Sequence, residues 1–481
     1  MSLKRGHVAL LLPLLLSPGP GWATSAETER RAVEDGAHIT EPAESREEAE
    51  LALPPQQTTP GPNSPASPNR RGYVLRLEAT ALTLLTRHGA SKDAGFVQLE
   101  PTLVLDGGAT LGLNVGAPIR LRAWGGDRDS GLVRKEDWDT LSDWGQWVRF
   151  LTLGNESSPV ALWAGSLDIY SLLSGHLVRH YSNRSNPDYH PAGTVLTGAL
   201  GPLYAESFTS DVLGARLMGA EVEVDVEHVL SARPPHPGRY TLALSAVHDW
   251  GRAGGTTRPV TLAHLDGSAV LMVRRNKDSA FEAHVFAGWG GQPGVGGAWG
   301  AVAGVGADVV SPTLNLQTKL EVRRQHGGFR QGYFGPDYEL ARLQSAGTPS
   351  LPLADATFPE GYSAYAELAA GWDAVHLVDV VRRHLHLVLA VEAFSWGRVD
   401  ADGRLAVQLL NRDLEVAVRG LAVGLRQPGA RYLASGEVRW RILGGALYAL
   451  GQGGTVLYPT PDGTLLPGAF ASLGVGVDNA R

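Results

Sequence analysis

The sequence predicts one large all-β unit: a transmembrane antiparallel up-and-down β-barrel of about 18 strands (roughly 16 to 20). Three observations predict it. Polar and apolar residues alternate with period two from Tyr73 almost to the C-terminus. The alternating runs reach about 10 to 14 residues, enough for a tilted strand to cross a bilayer. Long and short links also separate onto opposite ends of the sheet, as expected when one end faces the outside and the other the periplasm.

Ahead of the barrel the chain reads as a secretory signal over residues 1–26. Lys4 and Arg5 form a basic start, Val8 to Leu16 an apolar run too short to span a membrane, and Ala23 and Ala26 offer small residues for cleavage. Residues 27–71 are acidic and rich in Pro, with Glu47, Glu48 and Glu50 ahead of Pro54, Pro55, Pro60, Pro62, Pro65 and Pro68. Such a segment buries too little apolar surface to offset its ordering entropy and is expected to be disordered. The barrel is then assigned to residues 72–481, the remainder of the chain.

The alternation is explicit in the text. Leu75, Leu77, Ala79 and Ala81 share one face of the first strand, against Arg76, Glu78 and Thr80. A turn at Asp106-Gly107-Gly108 leads into Leu111, Leu113 and Val115, later opposed by Arg120 and Arg122. Val222, Val224 and Val226 oppose Glu221, Glu223, Asp225 and Glu227; Ala283 and Val285 flank the face of Glu282; Leu320 and Val322 oppose Lys319, Glu321 and Arg323. These charged residues, with Glu367, are the expected lining of the lumen. Short links near 106–109, 154–159, 200–202, 276–279, 311–313 and 425–430 are assigned to one end, and long ones near 125–145, 171–191 and 325–361 to the other.

Composition agrees. Glycine is abundant (60 residues), charged residues make up 19%, and there is no cysteine. Mean hydropathy is −0.08, and no segment after the start reaches the roughly 20 apolar residues of a membrane helix. Lacking cysteine, the chain has no disulfides, thiolate metal sites or cysteine nucleophiles. The formal charge of −7, with no run of Lys or Arg interleaved with aromatics, argues against a nucleic-acid partner. No repeat of about 40 to 50 residues appears, which a propeller would require.

From Tyr73 onward the chain resembles bacterial porin-like outer-membrane proteins: an export signal, long alternating strands, short inner turns and long outer loops. The match is one of architecture and carries no diagnostic motif. It departs in ending Val477-Asp478-Asn479-Ala480-Arg481, where many such barrels end on an aromatic residue. The resemblance implies residence in the outer membrane of a Gram-negative bacterium, contact with its lipid and lipopolysaccharide, insertion by the barrel-assembly machinery, and transport without a cofactor. Periplasmic export partners would be added if the barrel exported a polymer.

Among loops, the segment 174–190 is richest in chemistry, with His176, His180, Ser182, Asp188 and His190. The run His180-Tyr181-Ser182-Asn183 resembles the active-site run of outer-membrane phospholipase A, in which a His activates a Ser two residues on. On a strand these two positions would share a face. The histidines with Asp188, and separately His384 and His386, are compatible with a metal, but the spacing fits a polar outer loop and a polar lumen equally. Trp138, Trp144 and Trp147 beside Glu136, Asp137, Asp139 and Asp143 read as an aromatic girdle or a sugar platform next to a solvated acidic loop. The expected function is a non-enzymatic channel of porin type passing hydrophilic solutes passively. An export porin for a polymer such as a polysaccharide, a phospholipase-like barrel using His180 and Ser182, and a structural or adhesive barrel with a closed lumen are the alternatives.

Overall fold

In the computed structural model the described residues are 72–86, 94–107, 110–125, 131–155, 158–214, 216–231, 239–251, 259–294, 296–342, 359–373, 384–410, 413–442, 446–459 and 464–478. The expected signal (1–26) and acidic Pro-rich segment (27–71) lie outside them.

The wall begins with the hairpin β1 (Gly72–Thr86) and β2 (Ala94–Asp106). β3 (Leu111–Gly116) and β4 (Ile119–Gly125) both pair with β2 and together form one stave. The break falls at Ala117-Pro118, where proline supplies no N–H for the ladder. Short strands follow: β5 (Val148–Leu153), β6 (Val160–Gly165), β7 (Gly193–Leu200), β8 (Leu203–Thr209) and β9 (Leu217–Asp225). Longer ones complete the circuit: β10 (Tyr240–Asp249), β11 (Val260–Asn276), β12 (Ser279–Gly291), β13 (Trp299–Val310), β14 (Leu314–His326) and β15 (Gly361–Asp373). The last are β16 (His384–Phe394), β17 (Val399–Leu409), β18 (Leu414–Leu425), β19 (Arg431–Ile442), β20 (Leu447–Pro459) and β21 (Leu465–Asp478).

Neighbouring staves pair antiparallel throughout, and β21 returns to β1 with Arg76 opposite Asp478 and Thr86 opposite Gly468. The sheet is therefore a closed barrel. Its 21 strands make 20 staves, because β3 and β4 share one, two more than the expected 18. Strands of six to eight residues at β5 to β8 fall below the expected length, which hid staves from a reading based on long alternation.

Two further expectations change. Glu227 is not on a strand: β9 ends at Asp225, whose Oδ1 accepts the N–H of His228 at 2.9 Å and so caps the short helix Val226–Ser231. The link after β18 also lies at the end that carries the long loops, because Leu425 pairs with Val399 at that end of β17. Shortness alone does not locate a turn.

Alternation decides what faces out. Leu75, Leu77, Val222, Leu320, Val322, Leu473 and Val475 remain 41–73% exposed, while Glu78, Glu221, Glu321 and Arg323 on the opposite face are at most 7% exposed. Water rewards the reverse arrangement, so this exterior belongs in hydrocarbon. Aromatics bound it: Trp124, Trp289, Tyr362 and Tyr432 near the long-loop end, Tyr240, Trp372 and Trp440 near the other, all exposed. Tyr362 and Trp372 both lie on β15, and ten residues at ~3.4 Å rise and ~40° tilt place them about 25 Å apart across the belt. Among the described residues no helix is long and apolar enough to cross a membrane. Glycines let the inner face take bulk: a Cβ on Gly304 would meet the Phe286 ring at 2.4 Å, and one on Gly476 the Tyr448 ring at 2.3 Å.

Candidate functional site

Two connections at the long-loop end turn into the barrel. The first, residues 166–192 between β6 and β7, folds as a hairpin in which Tyr170 and Tyr181 exchange backbone hydrogen bonds at 3.0 and 2.7 Å. Gly175, at φ 72°, makes its turn. The second, 327–342 after β14, lies alongside: Phe334 N–H donates to Leu177 O at 3.0 Å, and Arg179 N–H to Phe334 O at 3.1 Å. The two inward segments are thus joined by an isolated β-bridge inside the lumen. Leu172, Leu177, Val178, Tyr181, Phe329 and Phe334 pack it against Phe208, Leu217, Val247 and Leu262 of the wall. An apolar core fills that part of the lumen.

Charged groups fix the rim of this plug. Glu221 accepts from Ser174 N–H at 3.1 Å, and Lys319 donates to Ser174 O at 2.7 Å. His180 Nδ1 lies 2.5 Å from Asp402 and Nε2 3.3 Å from Glu367. Arg179 and Arg323 share Glu392 at 3.3 and 2.9 Å, and Asp168 pairs with Arg419 at 2.5 Å. Arg342 binds Asp249 at 2.6 Å, and Arg431 binds Asp337 at 3.0 Å. Burial alone would lower the pKa of His180, but Asp402 and Glu367 outweigh it and push it up to about 10.

The loop between β4 and β5 closes the wall beside the short staves. Arg122 N–H donates to Leu132 O and Arg134 N–H to Arg120 O, so this loop stands where β4 lacks a strand partner. Asp137 is fully buried between Arg120, at 2.6 Å, and Arg134, which also holds Asp188. Against the burial that would raise it, His190, Arg120 and Arg134 draw the Asp137 pKa down to about 2. Asp143 accepts the Thr140 N–H at 2.9 Å and the His190 N–H at 3.0 Å, so Asp137 and Asp143 are tied into the fold while Glu136 and Asp139 stay exposed. Trp138 meets Trp144 edge-on at 5.3 Å.

Between the plug and the strands β19 to β5 an open cavity of about 360 Å³ remains. Five arginines line it (Arg120, Arg134, Arg149, Arg184 and Arg439) against three glutamates (Glu78, Glu100 and Glu437). Arg149 pairs with Glu100 and Arg439 with Glu78 at 3.3 Å. Arg184 donates Nε–H to Pro191 O at 3.0 Å and forms no ion pair among the described residues.

The residues picked from sequence divide among these regions. Glu78 also accepts from Tyr448 at 2.7 Å, and Arg76 lies 5.9 Å from that ring. Arg120 donates to Gln98 at 2.9 Å, while Arg122 lies 5.9 Å from the Phe96 ring. Glu221, Lys319, Glu321, Arg323 and Glu367 meet the plug or its immediate partners. Glu223 and Glu282 are half-buried away from it, and Asp225 caps the helix that holds Glu227. His176, His180 and Ser182 are in the plug, and Asp188 and His190 meet the loop after β4. His180 has φ +48° and both ring nitrogens face carboxylates, so it does not stand over Ser182 as a strand neighbour would. Sequence reasoning missed Asp402, Glu392, Arg149 and Arg439, and also His264 and Asp266, which come within 4.8 Å of His176. For the last pair the His-x-Asp spacing on a strand was an available signal.

No protein-family model matches this chain, and no curated protein matches it. Solved structures similar in fold include a BenF-like porin from Pseudomonas fluorescens, 10% identical, TM-score 0.34, covering 85% of this chain and 99% of that one. OccK2 from Pseudomonas aeruginosa, solved with glucuronate, is 12% identical with TM-score 0.32 over 85% and 98%. OccAB4 from Acinetobacter baumannii is 11% identical with TM-score 0.32 over 86% and 100%.

Proposed function

We propose that this chain is an outer-membrane channel of porin type that passes small hydrophilic solutes passively and favours anions. The observation that carries this is the cavity beside the plug, walled by five arginines and three glutamates inside a closed barrel with an apolar belt. Charges of opposite sign across a narrow lumen set up a transverse field that orients a polar solute, and Arg184, which alone of the five arginines has no acidic partner among the described residues, favours a negative one. Arg184 supplies the least compensated of these charges. The plug excludes a wide pore, which argues against passage of a bulky polymer. Both His180 nitrogens being engaged by carboxylates argues against a phospholipase-like role. Purified full-length protein in planar bilayers is expected to give discrete small conductance steps with a reversal potential on the anion-selective side. Absence of any conductance would overturn the channel reading in favour of a closed structural barrel.

A further inference from the structure

On the plug side, away from the cavity, His264 and Asp266 project from β11 toward His176 at the hairpin turn. Asp266 Oδ1 lies 2.6 Å from His176 Nδ1, and Oδ2 2.7 Å from His264 Nδ1. All three residues are at most 7% exposed. The neighbouring strand makes room for them: a Cβ on Gly288 would meet Asp266 at 2.2 Å, and one on Gly290 would meet His264 at 2.3 Å. Phe286 and Phe329 flank the two imidazoles, with ring centroids at 5.6 and 6.4 Å.

Behind the cluster the polar contacts are incomplete. His176 Nε2 faces Glu321 Oε1 at 3.4 Å, and both atoms are buried without a hydrogen bond, although Lys319 Nζ lies 3.2 Å from that oxygen. His264 Nε2 accepts from the Gln331 amide at 2.9 Å, which leaves Gln331 Oε1 buried without a partner.

We propose that His176, His264 and Asp266 bind a divalent transition-metal ion such as Zn²⁺, which ties the inward hairpin to the barrel wall. An ion on both Nδ1 atoms moves each ring to its Nε2–H tautomer. His176 then donates to Glu321 Oε1, and a flipped Gln331 amide offers Oε1 to His264, so each ring nitrogen that faces away from the ion keeps a partner. Carboxylate and amide partners behind ligating imidazoles are the usual means of fixing the tautomer and orientation of such ligands. Two imidazoles and a carboxylate suit Zn²⁺ or its neighbours rather than Ca²⁺ or Mg²⁺. Tetrahedral coordination at about 2.0–2.1 Å needs donor atoms about 3.3 Å apart, so the observed separations open by several tenths of an ångström on binding.

The test is calorimetric titration of chelator-treated, full-length protein in detergent with Zn²⁺, with Co²⁺ as a spectroscopic probe. One ion per chain and an intense tetrahedral Co²⁺ absorption are expected, and Zn²⁺ should slow hydrogen exchange of the 170–181 hairpin. His264→Gln should abolish binding, and Gln331→Ala should weaken it by about tenfold. Failure of the wild-type protein to bind one ion, or equal binding by folded His264→Gln, would overturn the site. Since the readout is binding, a barrel that carries no current still decides the matter.

Discussion

The inner faces of β8 to β18 and of β19 through β5 carry the same classes of side chain, yet the inward loops seal much of the first and leave the other open. On the first, wall carboxylates find cations on the two inward loops: Asp402 and Glu367 meet His180, and Glu392 meets Arg179. An apolar core then excludes water behind them. On the second, Glu78 of β1 pairs with Arg439 of β19 across two intervening staves, and Glu100 of β2 with Arg149 of β5 across one, while space remains in front. A polar inner face is thus common to both halves. Whether it is covered depends on whether the inward loops pack against it.

The largest effect should come from removing the loop. Replacing residues 170–181 by a short Gly-Ser link deletes the hairpin that fills the sealed half, and single-channel conductance should rise several-fold. An unchanged step size would mean that the current never passed beside the plug.

Single-residue changes sharpen the contrast. Glu392→Ala leaves Arg179 and Arg323 buried without their shared carboxylate, and is expected to lower stability by about 3–5 kcal/mol. Glu437→Ala removes a partner 3.6 Å from Arg439 beside the cavity, where water replaces it, and should cost about 0–1 kcal/mol. Denaturant unfolding of the two variants checks the order, and equal losses would erase the distinction between the halves.

The alkaline pH response should centre on the sealed half. His180 has its pKa raised from 6.5 to about 10 in the fold, so the folded state holds one more proton than the unfolded chain between those values. Its contribution is complete below pH 6.5, declines as pH rises, and is gone once pH exceeds about 10. Current noise from plug motion should grow over that interval, and Asp402→Asn should shift the onset to lower pH. Smallest is the effect of Arg184→Ala, a modest loss of anion preference in reversal-potential measurements with little change in stability.

Much of the wall was legible in the sequence. Alternation at 314–323 puts Leu320 and Val322 outside and Glu321 and Arg323 inside because strand geometry allows nothing else. Staves of six to eight residues carry too few alternations to register, and Glu227 read as a strand residue although it lies in the helix that Asp225 caps. The inward fold of 166–192 was illegible for a different reason. Its anchors are 222 residues apart for His180 and Asp402 and 213 for Arg179 and Glu392, so no local pattern encodes them. A polar, histidine-rich outer loop and a plug anchored on wall carboxylates look alike until the barrel closes around them.

The division of the lumen is tested most directly by thiol accessibility, since the chain has no cysteine of its own. Gln452→Cys lines the cavity, whereas Ser245→Cys, at 0% exposure, and Ser363→Cys, at 6%, face the sealed half. A charged, water-soluble thiol reagent should label Gln452→Cys rapidly and reduce its current, leaving the other two unmodified. Equal labelling at all three positions would contradict a lumen divided into a plugged and an open side.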